Sequence, residues 1–191
     1  MIFDFTVMTG SEIYHKMTES VVPRPIAWVL SENEDSSYNL APFSYFNAIS
    51  STPPLFSLSI GKKRDGQLKD TRRNIIERKH FTLHIPHVEL AQEVTDSAKP
   101  FIENESEVSA LDLELVNENG FSLPRLKDCR IAFDCVLEEV VQIASIPQAL
   151  IIGRINRVYV ADEILHDGKV QAEQLKPLAR LGGSEFAALG K

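Results

Sequence analysis

Two long alternating runs separated by one short turn leave this chain few choices of architecture. From Arg130 to Ile143 the odd positions Ile131, Phe133, Cys135, Leu137, Val141 and Ile143 are apolar, while Arg130, Asp134, Glu138 and Gln142 punctuate the other side. Successive side chains of a strand point to opposite faces, so this pattern predicts one long strand with a buried and a wet face. After the Pro-containing turn SIPQA, the run LIIGRINRVYV over 150–160 reads as its antiparallel neighbour, with Gly153 marking a bulge or a close approach. Pro25–Leu30, Leu55–Ile60 and Phe81–Ile85 are further strands, rich in β-branched or aromatic residues and bounded by Pro, Gly or Asp. Strands dominate and their edges must be hidden. The expected fold class is therefore mainly β, an antiparallel barrel with peripheral helices.

Helices are short and few. Leu68, Ile75 and Ile76 sit at helical spacing in LKDTRRNIIERK, with Asp70 and Thr71 as early acid and capping groups and Arg78 and Lys79 at the end. Val88–Thr95 and a segment from Phe101 to Ala110 are further candidates. The tail from Leu175 to Lys191 has the weakest pattern; Gly182 and Gly183 allow a sharp turn there, and the tail is expected to pack on the barrel or on a second subunit. No internal repeat, low-complexity run or dividing linker interrupts the 191 residues, which fit one domain over 1–191.

Composition narrows the partners. A net charge of −7 without a basic stripe argues against nucleic acid. The first residues, MIFDFTVMTGSEIY, carry an early acid and no cationic segment ahead of an apolar run, so no secretory signal is read. No stretch approaches the roughly 20 apolar residues of a membrane span, and the expected location is the cytoplasm. Cys129 and Cys135, in one strand, would lie roughly 20 Å apart by the strand rise, beyond a disulfide, and are read as buried thiols.

The segment Asn39–Pro54, NLAPFSYFNAISSTPP, is too polar for a buried strand and too apolar for an ordinary surface loop. It asks for a partner that is part flat and apolar, part hydrogen-bonding, and a flavin ring is such a partner. A loop ending at Pro42 would present backbone groups, and Phe43, Tyr45 and Phe46 offer flat surfaces. The competing reading makes these aromatics an ordinary strand packing into the core.

NLAPFSYFNAISSTPPLFSLSI, preceded by VVPRPIAWVL and followed by KDTRRNI, resembles the signature of the flavin reductase-like FMN-binding proteins, the split-barrel group that includes flavoredoxins. The likeness runs from about Pro23 to the LARLGG near the C-terminus. It implies an FMN-binding split barrel of antiparallel Greek-key type acting as a homodimer. It also implies NAD(P)H as co-substrate, hydride transfer to flavin N5, and a redox protein or monooxygenase as possible acceptor. By this resemblance Ala41, Pro42, Phe43 and Ser44 line the flavin, Ser50 and Ser51 lie near its polar rim, and Asn39, Leu40 and Asn47 count among the cofactor-binding residues. A flavoredoxin-like electron carrier and a non-catalytic FMN-binding module are the alternatives.

The phosphate site is expected at Lys69, Thr71, Arg72 and Asn74. A helix N-terminus offers unpaired amides and a favourable dipole, Thr71 and Asn74 share a face, and Lys69 or Arg72 adds charge. Asp70 would repel a phosphate and is read as the cap. A plain capped surface helix is the alternative. Arg24 is stiffened between Pro23 and Pro25; by the resemblance its segment lies beside the flavin, where it would face a phosphate or the negative charge of reduced flavin near N1, and the competing reading is a surface arginine on an edge strand. Trp28 is assigned to the core.

Other patterns carry less. Gly61–Gly66 has P-loop glycine spacing but continues Gln67-Leu68 instead of Lys-Ser/Thr, and no GxGxxG is present. His80 and His84 would lie about 13 Å apart in a strand, too far to share a metal ion. Ser44, Ser50 and Ser51 lack the GxSxG setting of a hydrolase nucleophile. No protein acid or base is expected to be catalytic, because a bound flavin carries hydride chemistry itself. His84 stands where relatives often carry Asn, and Thr52 where they often carry Asp.

Overall fold

The computed structural model describes residues 1–101 and 105–188. In chain order the elements are α1 (Gly10–Ser20), β1 (Arg24–Pro25), β2 (Ala27–Glu32), β3 (Tyr38–Phe43), β4 (Phe46–Ser51), β5 (Pro54–Ile60), α2 (Asp70–Arg78) and β6 (His80–Ile85). A 3-10 turn (Val88–Leu90) leads into α3 (Ala91–Asp96), then α4 (Glu107–Ala110), β7 (Leu115–Val116), β8 (Arg125–Leu126), β9 (Ile131–Gln142) and β10 (Ala149–Val160). The chain ends in β11 (Leu165–His166), β12 (Lys169–Val170), α5 (Ala172–Leu175), β13 (Ala179–Arg180) and β14 (Phe186–Ala187). Of the helix expected over 101–110, residues 102–104 lie outside the described residues.

Seven strands form one antiparallel sheet in the order β3-β2-β6-β9-β10-β5-β4. Its two outer strands, β3 and β4, are consecutive in sequence and joined only by Ser44 and Tyr45. Three Cα steps span at most about 11 Å, so the sheet has to curl until its edges meet. β3 and β4 are not paired in a ladder, and the barrel is split along that seam. The mainly β antiparallel barrel expected from the alternation is the fold observed.

The run 39–54, expected as a loop ending at Pro42 with a strand as the competing reading, contains the two edge strands β3 and β4. Pro42 and the density of Ser and Asn hid them, for a reason the register explains. Leu40 pairs with Leu30 and Pro42 with Trp28. The Leu40 N–H points away from the sheet, to the Glu107 carboxylate at 2.9 Å. Pro42, two residues on, has the same orientation, so its missing N–H removes no ladder bond.

β2 is buried on both faces. Ile26, Trp28 and Leu30 join Leu40, Leu90, Val94, Leu126 and Leu178 in a cluster under the helices, while Ala27 and Val29 join Phe56, Leu58, Ile60, Phe81, Leu83 and Ile151 in a second cluster. The long pair β9–β10 shifts register at Ile152/Gly153. A Cβ on Gly153 would stand 2.6 Å from the Phe56 ring and 2.8 Å from that of Phe81, which explains the glycine. β9 departs from a simple wet face, because Asp134 is buried where the 105–130 excursion covers the sheet and accepts the Ser122 N–H at 2.9 Å. Cys129 and Cys135 are buried free thiols in different clusters, and burial pushes both thiol pKa values up.

α1 was not anticipated. Thr9 and Glu12 close a capping box at its start, a T-x-x-E signal that is legible in the sequence. In α2 the cap is Lys69, whose side chain makes no capping bond; Asp70 is already helical and bound by Lys63 and Arg73, which corrects its reading as cap. The tail does pack on the barrel: β13 lies between β1 and β14. Residues 189–191 lie outside the described residues. Among the described residues no helix is long and apolar enough to cross a membrane.

Candidate functional site at the barrel seam

The edge of β3 is covered over its first half only. The Ser106 hydroxyl donates to the Tyr38 carbonyl at 2.6 Å, and the buried Glu107 carboxylate takes the Leu40 N–H. Burial pushes the Glu107 carboxyl pKa up, and Asp70 and Glu105 add to the shift. Past this cover, Ala41, Pro42, Phe43 and Ser44 are half-buried. β4 then runs outward: Asn47, Ala48, Ile49 and Ser51 are exposed, Ser50 is half-buried and accepts the Thr52 N–H at 3.2 Å, and the register shifts between Ala48 and Ser50. The Tyr45 carbonyl accepts the Ser59 N–H at 2.9 Å, fixing the link between the edges.

An apolar strip from Ala41 to Phe43, followed by Ser44 and continued across the link into β4, which carries Asn47, Ser50 and Ser51, offers apolar surface and polar groups on the two strands that flank the seam. Asn39 and Leu40 have a different place. Leu40 is fully buried core, and Asn39, 6% exposed, donates to the Ser31 hydroxyl at 3.3 Å and to the Thr71 hydroxyl at 2.8 Å. Phe46 is turned into the barrel in an edge-to-face contact with Phe56, as the core reading of the aromatics required.

That Asn39–Thr71 bond seats the first turn of α2 against the seam strand. Thr71, Arg72 and Asn74, expected to meet a phosphate, are instead 2%, 2% and 1% exposed and turned inward. Asn74 donates to Ser31 at 3.2 Å and to the Asn33 side-chain oxygen at 2.8 Å, so Asn39, Ser31, Thr71, Asn74 and Asn33 form one buried network between α2, β2 and β3. Arg72 donates to the Ile60 and Pro147 carbonyls and to the Gln142 side chain at 2.9 Å, tying α2 to the β9–β10 turn. Of the expected set, only Lys69 has an exposed side chain. The amides of the first turn of a nine-residue helix still begin at the seam.

Arg24 is likewise internal. It is 6% exposed and donates to the carbonyls of Thr18 and Val21 at 2.6 Å each, to that of Leu181 at 2.8 Å, and to the Ser44 hydroxyl at 3.4 Å. The seam thus contains the expected Ala41–Ser44 and Ser50–Ser51, with Lys69 at the start of the adjoining helix, while Arg24, Asn39, Thr71, Arg72 and Asn74 hold those elements in place. Glu107 and Ser106, which shape the β3 edge, gave no sequence signal beyond an S-E pair opening a short helix. Among the described residues no group of three or more His, Cys, Asp or Glu side chains could hold a metal ion.

Comparison with known proteins shows the same fold elsewhere. The family model described as "Flavin reductase like domain" matches residues 18–176. The crystal structure of nitrilotriacetate monooxygenase component B from Bacillus cereus superposes with a TM-score of 0.94 at 35% identity, covering 100% of this chain and 96% of the other. The 2-nitrobenzoate 2-nitroreductase of Pseudomonas fluorescens gives a TM-score of 0.89 at 29% identity, covering 98% and 91%. A split-barrel domain protein of Shewanella frigidimarina, 20% identical, shares the fold at a TM-score of 0.87 over 100% and 96% of the two chains.

Proposed function

The chain belongs to the flavin reductase-like family, and on that premise we propose that it binds FMN along the barrel seam and reduces it with a nicotinamide dinucleotide. The single observation that carries the reading is the Asn39–Thr71 hydrogen bond of 2.8 Å, which seats a helix N-terminus against a strand whose next residues form a half-buried apolar strip. An apolar wall with an anion site at one end is what a phosphorylated flavin needs.

FMN supplies the hydride-accepting ring when bound, so the chain's own task is to bind, orient and exclude water. Ala41, Pro42 and Phe43 form the wall. Ser44, Asn47, Ser50, Ser51 and the strand backbone offer polar contacts at its rim, and Lys69 with the first-turn amides of α2 receives the phosphate. No side chain is assigned a proton-transfer role. The likeness to a monooxygenase component B supports an acceptor of the monooxygenase or redox-protein kind. The homodimer, the cytoplasmic location and single-domain organisation belong to the same reading. The net charge of −7 speaks against a nucleic-acid partner.

Absorbance of the purified protein at about 370 and 450 nm, the wavelengths of oxidised flavin, followed by anaerobic NADH and NADPH, tests the reading. Rapid bleaching of the 450 nm band by either nucleotide is the expected result. A band that bleaches only with dithionite would favour a carrier or binding module, and a colourless protein that takes up no added FMN would refute flavin binding.

A further inference from the structure

We infer that Arg24 touches no ligand and is a positioning residue, which orients the Ser44 hydroxyl as a hydrogen-bond donor into the seam and latches the C-terminal turn to α1. The Ser44 half of this inference rests on the proposed flavin site; the latch does not. Four of the five guanidinium N–H groups are spent on four protein acceptors in three separate segments: Thr18 and Val21 at the end of α1, Leu181 in the tail, and Ser44 in the link between the seam strands. Phosphate recognition by a fork of two N–H groups would require breaking those bonds in a nearly closed site.

The three carbonyls explain why the residue is an arginine. The last turn of α1 has no basic residue of its own, so the Arg24 charge lies at the negative end of that helix and satisfies carbonyls the helix cannot. The Leu181 carbonyl begins the turn that contains Gly182 and Gly183. A Cβ on Gly182 would stand 2.9 Å from the Glu19 side chain and 3.3 Å from its Cα, and Gly183 has φ of +57°, so this turn is shaped to lie against α1. Glu19, Val22 and the turn line an open groove of about 450 Å³ beside the latch.

Ser44 is the functional end. Its oxygen faces the guanidinium Nε–H, which directs the hydroxyl hydrogen elsewhere, and among the described residues Ser44 donates no hydrogen bond. A half-buried hydroxyl with a cation behind it is a donor prepared for an acceptor atom of the ligand, a ring nitrogen or carbonyl oxygen of a planar heterocycle.

The test combines amide exchange in the flavin-free protein with FMN titration of Arg24→Gln, Ser44→Ala and the double variant. Arg24→Gln should speed exchange of peptides covering 17–22 and 181–187 about tenfold, with β9 and β10 unchanged, whereas Ser44→Ala should leave exchange unaltered. Each single variant should weaken FMN about five- to tenfold, and the double variant no more than Arg24→Gln alone. Unchanged exchange in Arg24→Gln overturns the latch. Full additivity of the two FMN losses overturns the positioning role and makes Arg24 a ligand contact. Absence of FMN uptake by the unsubstituted chain refutes the flavin site and the Ser44 role with it, while accelerated exchange still supports the latch. If Arg24→Gln does not fold, Arg24→Lys, which keeps the charge but loses the fork, should give the same local exchange pattern at smaller size, and an unchanged pattern there overturns the latch.

Discussion

Enclosed between Trp28 and Leu126, the His84 ring accepts the Leu126 N–H at Nε2 (2.9 Å), so its proton is on Nδ1 and is donated to the Trp28 carbonyl (3.0 Å). Burial lowers its pKa from 6.5 to about 4, with the nearby Arg125 charge adding to the shift. A histidine whose pKa is lower folded than unfolded stabilises the fold above pH 6.5 and loses that contribution as the pH falls toward 4, because the unfolded chain takes the proton first. The loss amounts to about 3 kcal/mol. Urea unfolding of the wild type and of His84→Asn from pH 7.5 to 4 should show the stability difference narrowing by that amount, and a pH-independent difference would contradict the buried neutral ring. A metal ligand and this ring would look alike in sequence; only the two backbone partners separate them. Glu107 has the opposite sign: its raised carboxyl pKa means that ionisation costs stability, and the cost appears as the pH rises. Glu107→Gln keeps an acceptor for the Leu40 N–H, so it should raise the melting temperature by a few degrees at pH 8, equivalent to about 1 kcal/mol, and by less at pH 4.

At the scale of elements, α2 is where the residue pattern was read correctly and its orientation was not. The spacing of Thr71 and Asn74 does put them on one face, but periodicity does not say whether that face meets solvent, ligand or a polar core. Here it meets Ser31, Asn33 and Asn39. Asn74→Ala would leave the Asn33 oxygen and Ser31 short of a donor, and should cost about 1–3 kcal/mol of stability by thermal or urea unfolding. Lys69→Ala should instead weaken FMN several-fold with riboflavin affinity and stability unchanged; equal loss for both flavins would remove the phosphate from α2. The long strands β9 and β10 were legible because apolar residues recur at alternate positions through the first half of β9 and a Pro-containing turn separates it from the β-branched run of β10, and Gly153 was legible as a close approach. β3 and β4 were not, since their polar, Pro-containing edges carry loop composition and become strands only through the barrel that they close. The seam residues were expected from resemblance alone; the inward turn of Arg24, Thr71, Arg72 and Asn74 depends on partners 3 to 157 positions away, most of them more than ten, and left no local trace.

At the scale of the molecule, several large apolar side chains stand exposed on the described surface. Ile2, Phe3, Phe5 and Val7 project from the N-terminal stretch, Tyr14 and Met17 from α1, and Tyr45 and Ile49 from the seam link and β4. β4 also offers an open edge, a feature that solitary proteins usually blunt with charge, Pro or cover. Ile49, 53% exposed in the only register shift of β4, lies on the strand that borders the proposed flavin strip. If the expected homodimer uses this strand, one substitution should disturb assembly and cofactor together. The chain should sediment at twice its 21.4 kDa mass, and Ile49→Asp, placing a charge in the contact, should shift it toward monomer at micromolar concentration and weaken FMN at least tenfold. Circular dichroism should remain unchanged, since an exposed edge residue contributes little to the core. A dimer that survives Ile49→Asp with its flavin intact would move the interface away from the seam, and a monomer that binds FMN as tightly as the wild type would show that one barrel completes the site alone.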